Sequence, residues 1–125
     1  MITRFNHAQL TVPRGQSDAV RAFFGQVLGL PEIPVPDTMT KYGLIWFRVG
    51  PQDELHVGQE DNIDRTKTMA HLAFEVTDVK AWRERLSAAG IELIDQPLIE
   101  GYDRFHFRDP FGNRLEIIGR AATGG

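Results

Sequence analysis

The sequence predicts an α+β fold made of two tandem βαβββ modules, forming a cupped mixed sheet with helices on its convex side. Three observations carry that expectation. The same succession of periodicities occurs twice along the chain. Each half opens on an alternating strand with a histidine at an equivalent place, His7 and His71. Each half's helical stripe stops at a glycine, Gly29 and Gly90. At 125 residues, 42% hydrophobic and 25% charged, the chain has the size and composition of one globular domain.

In the first half, residues 5–12 alternate, with Ala8, Leu10 and Val12 on one face and His7, Gln9 and Thr11 on the other. Pro13-Arg14-Gly15 breaks the strand, and Ser17 is an expected N-cap. Val20, Phe23, Phe24, Val27 and Leu28 follow helical spacing, and Pro31 and Pro34 forbid continuation beyond Gly29. The Pro-rich stretch 31–40 predicts a short edge strand. Residues 44–49 and 54–58 predict a hairpin around Gly50-Pro51-Gln52-Asp53. Residues 59–67 are polar and aperiodic, the expected linker.

In the second half, residues 70–76 repeat the opening alternation, and Asp78 is an expected N-cap. Val79, Trp82, Leu86 and Ala89 make the helical stripe. Residues 91–94, 103–108 and 114–118 predict three strands, the last two joined by Asp109-Pro110-Phe111-Gly112, a type I turn sequence. The expected boundaries are therefore a first module over about 4–58, a linker over about 59–67 and a second module over about 68–120.

With His7 aligned to His71, Leu55-His56-Val57 meets Leu115-Glu116-Ile117. His7 and His56 are 49 residues apart, and His71 and Glu116 are 45. If the halves pack around a pseudo-twofold axis, these four side chains converge on one centre. Three imidazoles and a carboxylate suit a divalent first-row metal. The concave faces would also carry Gln9, Trp46, Arg48, Glu54, Arg104, His106, Arg108 and Arg114. So many polar groups on a sheet face imply a wet or liganded cavity. Trp46 with Arg48 could hold an anionic or aromatic substrate, or Arg48 could pair with Glu54. Arg104 hints at an anionic substrate. Arg108 and Arg114 flank a turn and are expected to be solvated.

Composition removes several classes. Without cysteine there are no disulfides, thiolate nucleophiles or iron–sulfur clusters. A net charge of −3 with no basic run argues against nucleic acid, and no apolar run reaches membrane-spanning length. The N-terminal residues lack a signal peptide's apolar stretch, so the expected location is cytoplasmic.

The stretches "FNHAQLTV", "VRAFFGQVLGLPE" (20–32), "MAHLAFEVTD" (69–78) and above all "DPFGNRLEI" (109–117) resemble the vicinal oxygen chelate superfamily over nearly the whole chain. That superfamily includes glyoxalase I, methylmalonyl-CoA epimerase, extradiol dioxygenases, fosfomycin-resistance transferases and bleomycin-binding proteins. The resemblance implies one glyoxalase-like domain within a homodimer and metal ligands at His7, His71 and Glu116. His56 departs from the pattern, since glyoxalase I usually has Glu there and the epimerase often Gln. As a ligand it would be the fourth. His106 falls at the place of a substrate-contacting tyrosine of the fosfomycin enzymes, whose other basic and hydroxyl residues are not evident around Gln96–Tyr102.

The implied cofactor is a divalent ion, Ni, Zn, Mn, Co or Fe. The implied activity is of lyase or isomerase type, with a small substrate chelated through adjacent oxygens and an enediolate or enolate stabilised. Glu116 and His106 are then the candidate proton carriers, and Gln9, Trp46, Arg48, Arg104 and His106 the candidate pocket. Two alternatives stay open: a metal-free binder of a bleomycin-type ligand, and an Fe(II) ring-cleaving dioxygenase with a His-His-Glu triad.

Overall fold

The computed structural model describes residues 1–122. The chain divides into two compact units, Met1–Asp64 and the part from Arg65 onward. Among the described residues, each unit holds one four-stranded mixed sheet.

The first unit runs β1 (His7–Val12), a helix α1 (Ser17–Val20) that continues as a π-helical segment (Arg21–Val27), β2 (Glu32–Ile33), a 3-10 turn (Asp37–Tyr42), β3 (Ile45–Val49) and β4 (Asp53–Gln59). Its strand order is β1-β4-β3-β2, with β1 and β4 parallel and the rest antiparallel. The second unit runs through a 3-10 turn (Arg65–Lys67), β5 (His71–Glu75), α2 (Val79–Ala88), β6 (Ile94–Asp95), β7 (Tyr102–Arg108) and β8 (Arg114–Arg120), in the order β5-β8-β7-β6. The topology is the same in both units, which is the tandem βαβββ arrangement.

The sheet faces divide as the alternation predicts. Val12, Ile45, Phe47, Leu55 and Val57 are buried with Val20, Phe23, Phe24 and Leu28 of the first helix. Phe105, Phe107, Leu115 and Ile117 are buried with Val79 and Leu86 of α2. Removing this apolar surface from water is the main stabilising term. Gly119 on β8 marks a close approach: an added Cβ would lie 2.5 Å from the Val76 carbonyl oxygen and 2.9 Å from Val79 Cγ2.

Several local expectations are corrected. Ser17 does not cap the first helix; it is the first helical residue, and Gln16 in the cap position makes no side-chain capping bond. The predicted regular helix widens after one turn, with Leu28 N donating to Phe23 O. Two adjacent buried rings, Phe23 and Phe24, meet edge to face at 5.0 Å in that wide turn. The edge strand in 31–40 shrinks to Glu32–Ile33, because Pro31, Pro34 and Pro36 have no N–H to offer a ladder. The strand expected at 91–94 is only Ile94–Asp95, since Ile91 N–H is spent on the Leu86 carbonyl at the end of α2.

Other local expectations hold. Gly29 and Gly90 have φ of 74° and 79°, as residues just past a helix end require. Asp78 caps α2 by accepting from Ala81 N at 3.0 Å. Asp109 carries the β7–β8 turn: Oδ1 accepts from Phe111 N at 2.9 Å and Asn113 N at 2.8 Å. Burial pushes its carboxyl up, against these hydrogen bonds.

Candidate metal centre

Strand register brings the polar side chains together within each unit. In the first, His7 pairs with Glu54, Gln9 with His56, and His56 with Trp46 across the sheet. In the second, His71 pairs with Arg114, Ala73 with Glu116, and Glu116 with His106. The two registers superimpose position by position, so His56 matches Glu116 and Trp46 matches His106.

The first unit's group is an aromatic stack. His56 lies against Trp46 at 3.8 Å and 1°, and against His7 at 4.1 Å and 16°. His56 is buried, and its Nε2 donates to Glu54 Oε1 at 3.0 Å. That hydrogen bond, aided by Arg48 at 3.7 Å, holds the Glu54 carboxyl below the usual range. Stacked imidazoles keep their in-plane lone pairs parallel rather than convergent, and Glu54 already engages one nitrogen of His56. His7 is exposed, with Nδ1 3.0 Å from Asn6 Oδ1. Gln9 lines a cavity of about 450 Å³ with Thr11, Lys41, Tyr42 and Gly58.

The second unit's group is convergent. His71 Nε2 and His106 Nε2 both lie 3.0 Å from Glu116 Oε1, and Arg104 Nη1 donates to Glu116 Oε2 at 3.3 Å. One ligand atom from each of His71, His106 and Glu116 falls within 4.8 Å of the others. Burial pushes the Glu116 carboxyl up, but the bonds from Arg104 and His106, with their charges, outweigh it and hold it below the usual range. Burial lowers His106, and the positive charge of Arg114 lowers it further against the pull of Glu116. Arg104 also lines a second cavity, of about 270 Å³, with Pro97, Leu98 and Tyr102.

His71 is held by the backbone at one ring nitrogen and turned toward the cluster with the other. Its Nδ1–H donates to the Met69 carbonyl at 3.0 Å, and its Nε2 faces a carboxylate oxygen. A ring nitrogen and a carboxylate oxygen at 3.0 Å need a proton or a cation between them, and a divalent ion can take that place.

Arg108 and Arg114, expected to be solvated, are both half-buried. The structure places Arg114 Nε 2.6 Å from His106 Nδ1, and Arg108 Nη1 2.7 Å from Gly112 O. Arg114 precedes Glu116 by two residues and so shares its face of β8.

The model of the Glyoxalase/Bleomycin resistance protein/Dioxygenase superfamily matches residues 4–117. The chain belongs to that superfamily. A glyoxalase family protein from Bacillus anthracis is 38% identical, with a TM-score of 0.89 over 97% of this chain and 98% of that one. A glyoxalase/dioxygenase from Nostoc punctiforme is 25% identical, with a TM-score of 0.78 over 94% and 91%. The genomically encoded fosfomycin resistance protein FosX from Listeria monocytogenes, at 21% identity and a TM-score of 0.77 over 98% and 97%, shares the fold. A mutant of that protein is known in complex with Mn(II) and 1S,2S-dihydroxypropylphosphonic acid. No curated protein matches the chain.

Proposed function

We propose that this superfamily member is a divalent-metal enzyme of lyase or isomerase type, acting on a small substrate with two adjacent oxygens. The observation that carries the reading is His71 Nε2 set against Glu116 Oε1 at 3.0 Å, with His71 Nδ1 fixed on a backbone carbonyl. His71 and Glu116 are the ligands the second unit supplies. His7 is the third ligand by its match to the superfamily pattern. His56 is the weakest candidate, since Glu54 holds its Nε2.

A bound divalent ion would act as a Lewis acid and stabilise an enediolate or enolate oxygen. The protein's own groups do the rest. Arg104 supplies positive charge beside the carboxylate, from a side chain that is 15% exposed. His106 is buried within hydrogen-bond reach of Glu116, where its ring can hydrogen-bond a substrate oxygen. Glu116 is held ionised by its neighbours and can serve as ligand or base.

A homodimer fits the exposed apolar side chains. Phe5 and Met69 stand two residues before the edge strands β1 and β5, at 93% and 85% exposure. A second copy covering them would explain their exposure. Sedimentation then shows a species of twice 14.1 kDa.

The test of function is metal analysis of protein purified without chelator, followed by assay of the loaded protein on α-hydroxycarbonyl, hemithioacetal and catechol substrates. Near-stoichiometric metal with turnover of the first two classes supports the reading. Ring cleavage of the catechol with iron would make it a dioxygenase. No metal after reconstitution would make it a metal-free binder.

A further inference from the structure

The two histidines that approach Glu116 differ in what holds their other ring nitrogen: a carbonyl oxygen for His71 and a guanidinium for His106. Beyond His71, the groups facing His106 are Arg114, Arg104 and Glu116. Arg114 Nε can only donate, because a guanidinium has no acceptor and stays protonated. At 2.6 Å it spends the Nδ1 lone pair of His106. A neutral imidazole has one ring proton, so that proton sits on Nε2, which donates to Glu116 Oε1 at 3.0 Å. Arg104 Nη1, 3.4 Å from the same Nε2, is a second donor alongside it, aimed at Glu116 Oε2. His71 is the reverse at Nδ1, which carries a proton against Met69 O.

We infer that Arg114 is a positioning residue that fixes His106 as the Nε2–H tautomer, making it a hydrogen-bond donor to Glu116 and to a bound oxyanion rather than a metal ligand. A ligand must present a lone pair, and the nitrogen of His106 that faces the cluster presents a hydrogen. His106 is 3% exposed, so water does not compete for either nitrogen. The same N–H can turn to a substrate oxygen that develops negative charge. The assignment deepens the metal-enzyme reading in naming what His106 does there, but the tautomer itself stands on hydrogen bonds of the metal-free protein.

The test is long-range proton–nitrogen correlation NMR of uniformly ¹⁵N-labelled, metal-free protein, with His106 assigned from H106Q. Wild type shows His106 with a bare Nδ1 and a protonated Nε2. Glu116 also favours that tautomer, so E116A isolates Arg114. In E116A the Nε2–H form persists. In E116A/R114L its ratio to the Nδ1–H form falls by about tenfold or more, the worth of one charge-assisted hydrogen bond. E116A/R114K restores it. An Nδ1–H signal in wild type, or a mixture in E116A alone, overturns the inference, and these two samples decide even if the double variant does not fold. In wild type loaded with Zn(II), His71 shifts as a coordinated ring while His106 keeps its Nε2–H. Coordination of His106 there would also overturn it. Failure of Zn(II) to bind at all counts against the proposed function and leaves the tautomer result standing.

Discussion

The two units place different chemistry on one backbone plan. Register-matched positions hold His7, Glu54, His56 and Trp46 in the first unit, and His71, Arg114, Glu116 and His106 in the second. The first set satisfies itself by stacking and by one imidazole–carboxylate bond. The second gathers two imidazoles and a guanidinium around one buried carboxylate, and sets His71 Nε2 against one of its oxygens. Exchanging an imidazole for a carboxylate, and an indole for an imidazole, turns an aromatic stack into a convergent hydrogen-bonded cluster without altering the fold. Shared topology therefore says where polar groups gather, and donor chemistry says what they can hold.

The largest expected effect tests whether the units are equivalent where they should be. Phe47 and Phe107 occupy matching register positions, opposite Leu55 and Leu115, and both are fully buried. Replacing either with Ala should cost about 3–5 kcal/mol in urea unfolding. A cost near zero at one and full cost at the other would break the equivalence.

A smaller effect follows pH and belongs to the second unit. Glu116 is held below its unfolded value of about 4.3, so the folded state binds fewer protons there. Its stabilisation is present above that value and is lost as pH falls through the lower, folded pKa. In metal-free protein, the stability gap between wild type and E116Q should therefore narrow as pH is lowered through that window. A gap that widens with acid would contradict the electrostatics assigned to the cluster.

The smallest effect separates the two helix starts. Asp78 caps α2 through Ala81 N, whereas Ser17 makes no cap. Asp78→Ala should cost about 1 kcal/mol and Ser17→Ala only a few tenths. Equal costs, read from thermal or urea unfolding, would remove this distinction between the halves.

The fold was legible because hydrophobic alternation and glycine stops are local signals repeated twice. His7, His56, His71 and Glu116 were legible as places on strands, since the repeat aligns them. The contact between His106 and Glu116 was not, because it depends on antiparallel register between β7 and β8. Nor was the engagement of His56 by Glu54. Those residues are two apart on one strand, a spacing that puts them on one face but leaves rotamers undecided. Arg114 was misread for a related reason: a residue flanking a turn can still reach inward when its neighbour on the next strand offers a lone pair.

The central claim is that the second unit supplies metal ligands while His56 is held apart by its own carboxylate partner. The direct measurement is calorimetric titration of chelator-stripped protein with Mn(II), for wild type and for H71A, E116A and H56A, each checked for folding by circular dichroism. The account predicts that H71A and E116A weaken binding by about a hundredfold or more, beyond what loss of an outer partner costs, while H56A stays close to wild type. Binding abolished in H56A and intact in E116A would contradict it.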